Sequence, residues 1–247
     1  MFSTAQIYEQ ILFFDIETVS QKADFAQLDA RMQALWHKKA QRLKLDPNES
    51  DADCYARQAG IFAEFNKIIC ISCGYLKVIA DKPTLIMKSF SGDDERKILI
   101  DFAEMLQKWF TKSGRMLCAH NGREFDVPVL GRRMLIQKVP LPSILDIQGK
   151  KPWEVKFLID TLEQWKFGDH KNYTSLDLIA ACLGVPSPKT DMGGSQVSGV
   201  YWTDNDLVRI VRYCTQDVQS LCAIFLGMNG LDFAPIFDEA SATTPSD

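Results

Sequence analysis

Near its start the chain runs Ile11-Leu12-Phe13-Phe14-Asp15-Ile16-Glu17-Thr18. The apolar run from Ile11 to Ile16 reads as a buried strand ending in polar residues. Residues two apart on a strand share a face, so Asp15 and Glu17 project together from its end. Two like charges held close raise each other's pKa and cost stability. A divalent cation between them removes the repulsion and supplies the missing partner. The plainer alternative is a strand running into solvent with two exposed acids, and the pair alone does not decide between them.

Two further stretches change the balance. His120-Asn121-Gly122-Arg123-Glu124-Phe125-Asp126-Val127-Pro128 directly follows an apolar strand. Pro128 has no amide hydrogen and belongs in a first helical turn. Asp126 therefore falls near the helix N-cap, at the kind of strand end where ligands of open α/β sheets gather. The third stretch, Tyr213-Cys214-Thr215-Gln216-Asp217, lies inside the last predicted helix. Tyr213 and Asp217, four apart, are neighbours on its surface. Asp217 falls at the edge of the apolar stripe formed by Leu207, Ile210, Cys214, Leu221 and Phe225. A charge there needs a partner, either an arginine such as Arg209 or Arg212, or a metal.

The pattern between these stretches predicts an α/β fold. Lys67–Ala80 and Thr84–Phe90 read as strands joined by a turn at Asp81-Lys82-Pro83, and with the first strand they form an antiparallel meander. Ser91–Glu95 opens a helix carrying Ile98, Phe102, Met105, Leu106 and Trp109. Arg115–Ala119 is a fourth strand, followed by a helix to about Gln137. Phe157–Asp160 is strand-like, and Leu176–Leu183 is a short helix stopped by Gly184. Phe25–Leu45 is mostly helix-forming, Asp46–Gly60 reads as loop, and Val185–Gly199 as a long loop. Thr203 reads as the N-cap of the last helix, which runs to about Leu226. The expected product is a mixed sheet, an antiparallel three-strand meander plus parallel strands, flanked by helices. Residues 1–230 are expected to form one domain, with 231–247 a C-terminal segment whose end is disordered.

Composition narrows the function. The 247 residues carry a net charge of −4, which argues against a protein that coats nucleic acid through a broad basic surface but not against one that grips a few phosphates. Seven scattered cysteines read as reduced, buried thiols. Cys70 and Cys73 sit three apart on a strand and point to opposite faces, so they do not chelate one zinc. With no apolar span or secretory leader in the sequence, a cytoplasmic location without membrane contact is expected.

Taken in order, the three acidic stretches resemble the motifs of the DEDD superfamily of 3'–5' exonucleases, the DnaQ-like group with a ribonuclease H-like fold. Asp15 to Thr18 is similar to the first motif, Asn121 with Phe125-Asp126 to the second, and Tyr213-Cys214-Thr215-Gln216-Asp217 to the third, in its tyrosine variant. The family of predicted 3'–5' exonucleases similar to the proofreading domain of family B polymerases is the closest match. Ser187-Pro188-Lys189, Asp191-Met192 and Gly194-Ser195-Gln196-Val197 resemble its loop. The resemblance implies two divalent cations, Mg²⁺ or Mn²⁺, held by Asp15, Glu17, Asp126 and Asp217. It implies Tyr213 as the residue that orients the attacking water. It also implies substrate contacts from Ile16, Thr18, Asn121 and Phe125, while Lys189 reads as a solvated lysine ahead of a phosphate contact. The expected substrate is a single-stranded nucleic-acid 3' end, DNA ahead of RNA. The stretch from about Gln21 to Gly60 departs from the pattern and reads in part as an insertion. Two rival readings are a catalytically inactive nucleic-acid-binding module and a phosphotransferase with Asp15 as nucleophile. The second leaves Tyr213 and Asp217 without a use.

Overall fold

A computed structural model describes residues 9–44, 46, 48–79, 82–169, 173–186 and 192–232. Its centre is a five-stranded sheet built from β1 (Ile11–Ser20), β2 (Asn66–Ile79), β3 (Lys82–Ser91), β4 (Met116–Ala119) and β5 (Leu158–Asp160). The strand order is β3-β2-β1-β4-β5. β1–β2 and β2–β3 pair antiparallel, while β1–β4 and β4–β5 pair parallel. The expected meander and mixed sheet are both present.

β1 is the central strand, and its alternation divides the core. Leu12, Phe14 and Ile16 face helices α3 (Glu95–Trp109) and α4 (Asp126–Ile136). Ile11 and Phe13 face α6 (Leu176–Leu183) and α7 (Leu207–Met228). The remaining helices are α1 (Ala30–Ala40), α2 (Asp51–Gln58) and the short α5 (Thr161–Lys166). No helix of the described residues is long and apolar enough to cross a membrane.

Several boundaries differ from the sequence reading. β1 does not stop at Ile16: β2 pairs with it as far as Ser20, so the two acids stand within the strand. The stretch 46–60 is not simply a loop, because α2 occupies Asp51–Gln58. Ser50 caps it, accepting from the Asp53 amide at 3.1 Å, and Asp51 and Asp53 suit the positive end of the helix dipole. Its buried face, Cys54 and Tyr55, packs with Trp36 of α1 in a separate small core. The 185–199 loop contains helical turns at Gly194–Gln196 and Val197–Gly199. The last helix is capped by Asp206, which accepts from the Arg209 amide, and Thr203 lies in a preceding π-helical turn. The α5 turn was not anticipated. Residues 187–191, the turn position Asp81 and the terminal stretch 233–247 lie outside the described residues.

One buried ion pair ties the two layers of this fold together. Arg133 of α4 and Glu95 of α3 are almost fully buried and meet in a fork, Nε to Oε1 at 2.8 Å and Nη2 to Oε2 at 2.6 Å. Arg133 also donates to the Ala63 carbonyl, and Glu95 accepts from the Ile68 amide of β2 and from Gln137. Removing one partner strands the other charge in the core. Arg133→Ala should therefore lower the unfolding free energy by about 3–5 kcal/mol, read from urea titration.

Candidate functional site

The site begins with a mismatch in strand lengths. β4 pairs with β1 only as far as Phe13 opposite Cys118, while β1 continues to Ser20. Beyond that point the β4 side of β1 is open, and the turn after β4 fills the notch. That turn is tight. Asn121 takes a left-handed conformation (φ 59°), and a Cβ on Gly122 would stand 2.4 Å from the Ala119 Cβ. Asp126 follows as the first residue of α4, with Phe125 in the N-cap position. Its carboxylate accepts from its own amide and from the Ile16 amide of β1. The second acidic stretch is thereby joined to the first.

Asp15 and Glu17 share the α7 face of β1, as strand alternation requires. Their carboxylate oxygens and the Cys214 sulfur of α7 all lie within 4.8 Å of one another. Asp126 and Asp217 flank this tighter group. A register shift between Glu17 and Thr18 shapes the far side: Glu17 faces Cys70 and Thr18 faces Ile68, leaving Ile69 unmatched. Ile69 and Cys70 then both turn toward α7 and pack with Ile210, Cys214 and Tyr201. This β-bulge seats the helix against the acids.

The electrostatics of the cluster are one-sided. Burial, then the charges of Asp126 and Asp217, raise the pKa of Asp15 well above the usual carboxylate range. Burial, then Asp15 and Asp217, do the same to Glu17. Burial raises Asp126 to about 7, with Asp160 adding to it, and raises Asp217 to about 6. Among the described residues no lysine or arginine forms an ion pair with any of the four. Arg209 sits 3.9 Å from Asp204 instead. Burial and the neighbouring acids hold the Tyr213 phenol well above its ordinary value, so it stays protonated and hydrogen-bonds Asp217. The Cys214 thiol is likewise pushed up by burial and donates to the carbonyl and Oδ2 of Asp15, both at 3.5 Å.

The sequence-derived substrate residues are also near. Thr18 donates its hydroxyl to the Gly60 carbonyl at 2.6 Å, tying β1 to the end of the helical pair. The Asn121 side chain has no hydrogen-bond partner among the described residues. Phe125 is half-buried and packs on the core. Lys189 lies outside the described residues. His120 is structural: Nε2 donates to the Thr174 carbonyl at 2.9 Å, Nδ1 meets the Thr161 hydroxyl at 3.0 Å, and burial lowers its pKa.

Sequence reasoning missed three residues. Asp160, at the end of β5, is buried and accepts from the amides of Asn121, Arg123 and Leu162 at 3.0 Å and of Glu163 at 3.4 Å. It holds the Asn121–Asp126 turn in place. Its signal was an acid between a strand and a helix, a capping position. Cys214 was read only as part of the apolar stripe of α7. Tyr173, largely exposed, sits edge-on to His120 at 6.1 Å, and its phenol feels the charges of Asp126 and Asp15; no sequence signal marked it.

A mixed sheet of this order, flanked by helices and carrying acids on its central strand, is the ribonuclease H-like arrangement of an exonuclease domain. The chain belongs to the family described as predicted 3'–5' exonuclease related to the exonuclease domain of PolB, which it matches over residues 61–234. That span includes Asn121, Phe125, Asp126, Tyr213 and Asp217, while Asp15 and Glu17 precede it. No curated protein matches the chain.

The raised carboxylates make a stability prediction. An acid whose folded pKa exceeds its unfolded value binds more protons in the native state, so stability falls as pH rises between the two. For Asp126 the window runs from about 4, the ordinary carboxylate value, to about 7. His120 acts in the opposite sense, so the readout is a difference. In chelator, Asp126→Asn should gain melting temperature relative to the unaltered chain as pH rises from about 4 to about 7.

Proposed function

We propose that the chain hydrolyses phosphodiester bonds at single-stranded nucleic-acid 3' ends, DNA ahead of RNA, as a 3'–5' exonuclease dependent on two divalent cations, Mg²⁺ or Mn²⁺. The observation that carries this reading is the acidic cluster itself: four carboxylates act on one another beside the central strand, and among the described residues no lysine or arginine pairs with them. All-oxygen donors suit hard cations. Asp15, Glu17, Asp126 and Asp217 would hold them. When bound, such ions supply an acidified water and stabilise the departing oxygen in an in-line displacement.

The chain's own residues supply position. Tyr213, protonated and hydrogen-bonded to Asp217, orients the attacking water as a donor and does not remove its proton. The backbone around Ile16 and the Thr18 backbone border the acids from β1 and meet the terminal nucleotide. Asn121, whose side chain has no hydrogen-bond partner among the described residues, reaches a sugar or phosphate oxygen. Phe125 stacks on the last bases, an interaction every base accepts. Residues 1–230 act as one domain, and the site works without membrane contact, as expected for a cytoplasmic enzyme.

The test is trimming of a 5'-labelled single strand in Mn²⁺. Asp15→Ala should abolish the ladder, and a variant that trims like the unaltered chain refutes the assignment. Tyr213→Phe should keep metal binding by calorimetry but slow trimming by about 10²-fold. A chain that binds Mn²⁺ and single strands yet never trims is the inactive module. Parallel DNA and RNA strands decide the sugar preference.

A further inference from the structure

A well-formed cavity lies away from the acids. It lies on the other face of the sheet, between β2, β3 and the end of α3, and has a volume of about 440 Å³. That is within the size range of small-molecule sites. Its walls are apolar, formed by Tyr75, Ile86, Met87, Met105 and Trp109. Its rim is cationic: Lys88, Lys108, Lys112 and Arg115 line it, and no acid does. None of these four forms an ion pair among the described residues. Asp101 and Glu104 line an adjoining hollow together with Lys88 and Lys108, while Lys112 and Arg115 line this one without them.

A second observation points the same way. The Arg115 guanidinium lies 3.9 Å over the Trp109 ring, and Tyr75 packs on that ring at 5.1 Å. Arg115 also donates to the Glu9 carbonyl, which fixes the guanidinium beside the indole. A cation held against a flat apolar wall suits an aromatic ligand that carries an anionic group.

We propose that this cavity is a binding site for an aromatic phosphomonoester of nucleotide size, its ring against Ile86, Met105 and Tyr75 and its phosphate among Lys108, Lys112 and Arg115. Several cations favour a dianion over a carboxylate, and the apolar walls favour an organic phosphate over the bare ion. The proposal is independent of the nuclease reading, since it uses none of the four acids.

Calorimetric titration of the full chain with adenosine 5'-monophosphate, in chelator so that no cation occupies the acidic cluster, tests it. Binding is expected at millimolar concentration or below, with adenosine and inorganic phosphate each weaker by about ten-fold or more. The double variant Lys108→Ala/Lys112→Ala, two exposed side chains, should weaken binding by about ten-fold while keeping the melting temperature. Asp15→Asn should leave it unchanged. Phenyl phosphate in place of the nucleotide shows whether the ring or the nucleoside is recognised; binding by both supports the class. Absence of binding, equal binding of inorganic phosphate, or sensitivity to Asp15→Asn but not to the lysine pair overturns the proposal.

Discussion

Burial and like charge act in the same direction on Asp15, Glu17, Asp126 and Asp217. Each has lost water, and each feels at least one neighbouring acid. A site of this kind cannot stay fully ionised without a counter-charge. It holds protons or it holds cations. Much of the surrounding structure keeps the acids together against that repulsion: the β2 bulge that seats α7, the thiol of Cys214 on Asp15, and the turn that delivers Asp126 to the Ile16 amide.

The same chain satisfies buried acids elsewhere. Glu95 has a forked arginine, a backbone amide and a glutamine. Asp160 has four backbone amides. Both are as buried as Asp126. The fold thus has the means to neutralise a carboxylate and applies them at every one of these positions except the cluster on the central strand. That internal contrast is the physical ground for reading the cluster as a place for ligands from outside, in keeping with membership of an exonuclease family.

The sheet also separates charge between its faces. The α7 face of β1 carries the acids, and the α3 face opens on an apolar hollow rimmed by lysines and an arginine. β1 contributes to both, because Leu12 and Asp15 have opposite parity on one strand. The helical pair α1–α2, which precedes the family match, is attached at the acidic end through Thr18 and Gly60. It contributes no acid to the cluster.

Much of this was legible in the linear chain. The spacing of Asp15 and Glu17, the Pro128 that places Asp126 at a helix start, and the four-residue step from Tyr213 to Asp217 are local patterns, and local geometry follows from them. So did the mixed sheet, because strand periodicity and turn residues are local too. The helix at Asp51–Gln58 was hidden by a polar surface whose only buried side chains pack against a partner helix. The cap at Asp206 was hidden because several polar residues competed for it. What the sequence by itself determined was which acids share a strand face or a helix face. Only the tertiary structure decided that the three stretches meet, that β4 stops short to admit Asp126, that Asp160 is a clamp, and that no lysine or arginine of the described residues pairs with the cluster. Those are long-range facts, set by strand order and packing between elements far apart in the chain, and no window of sequence contains them.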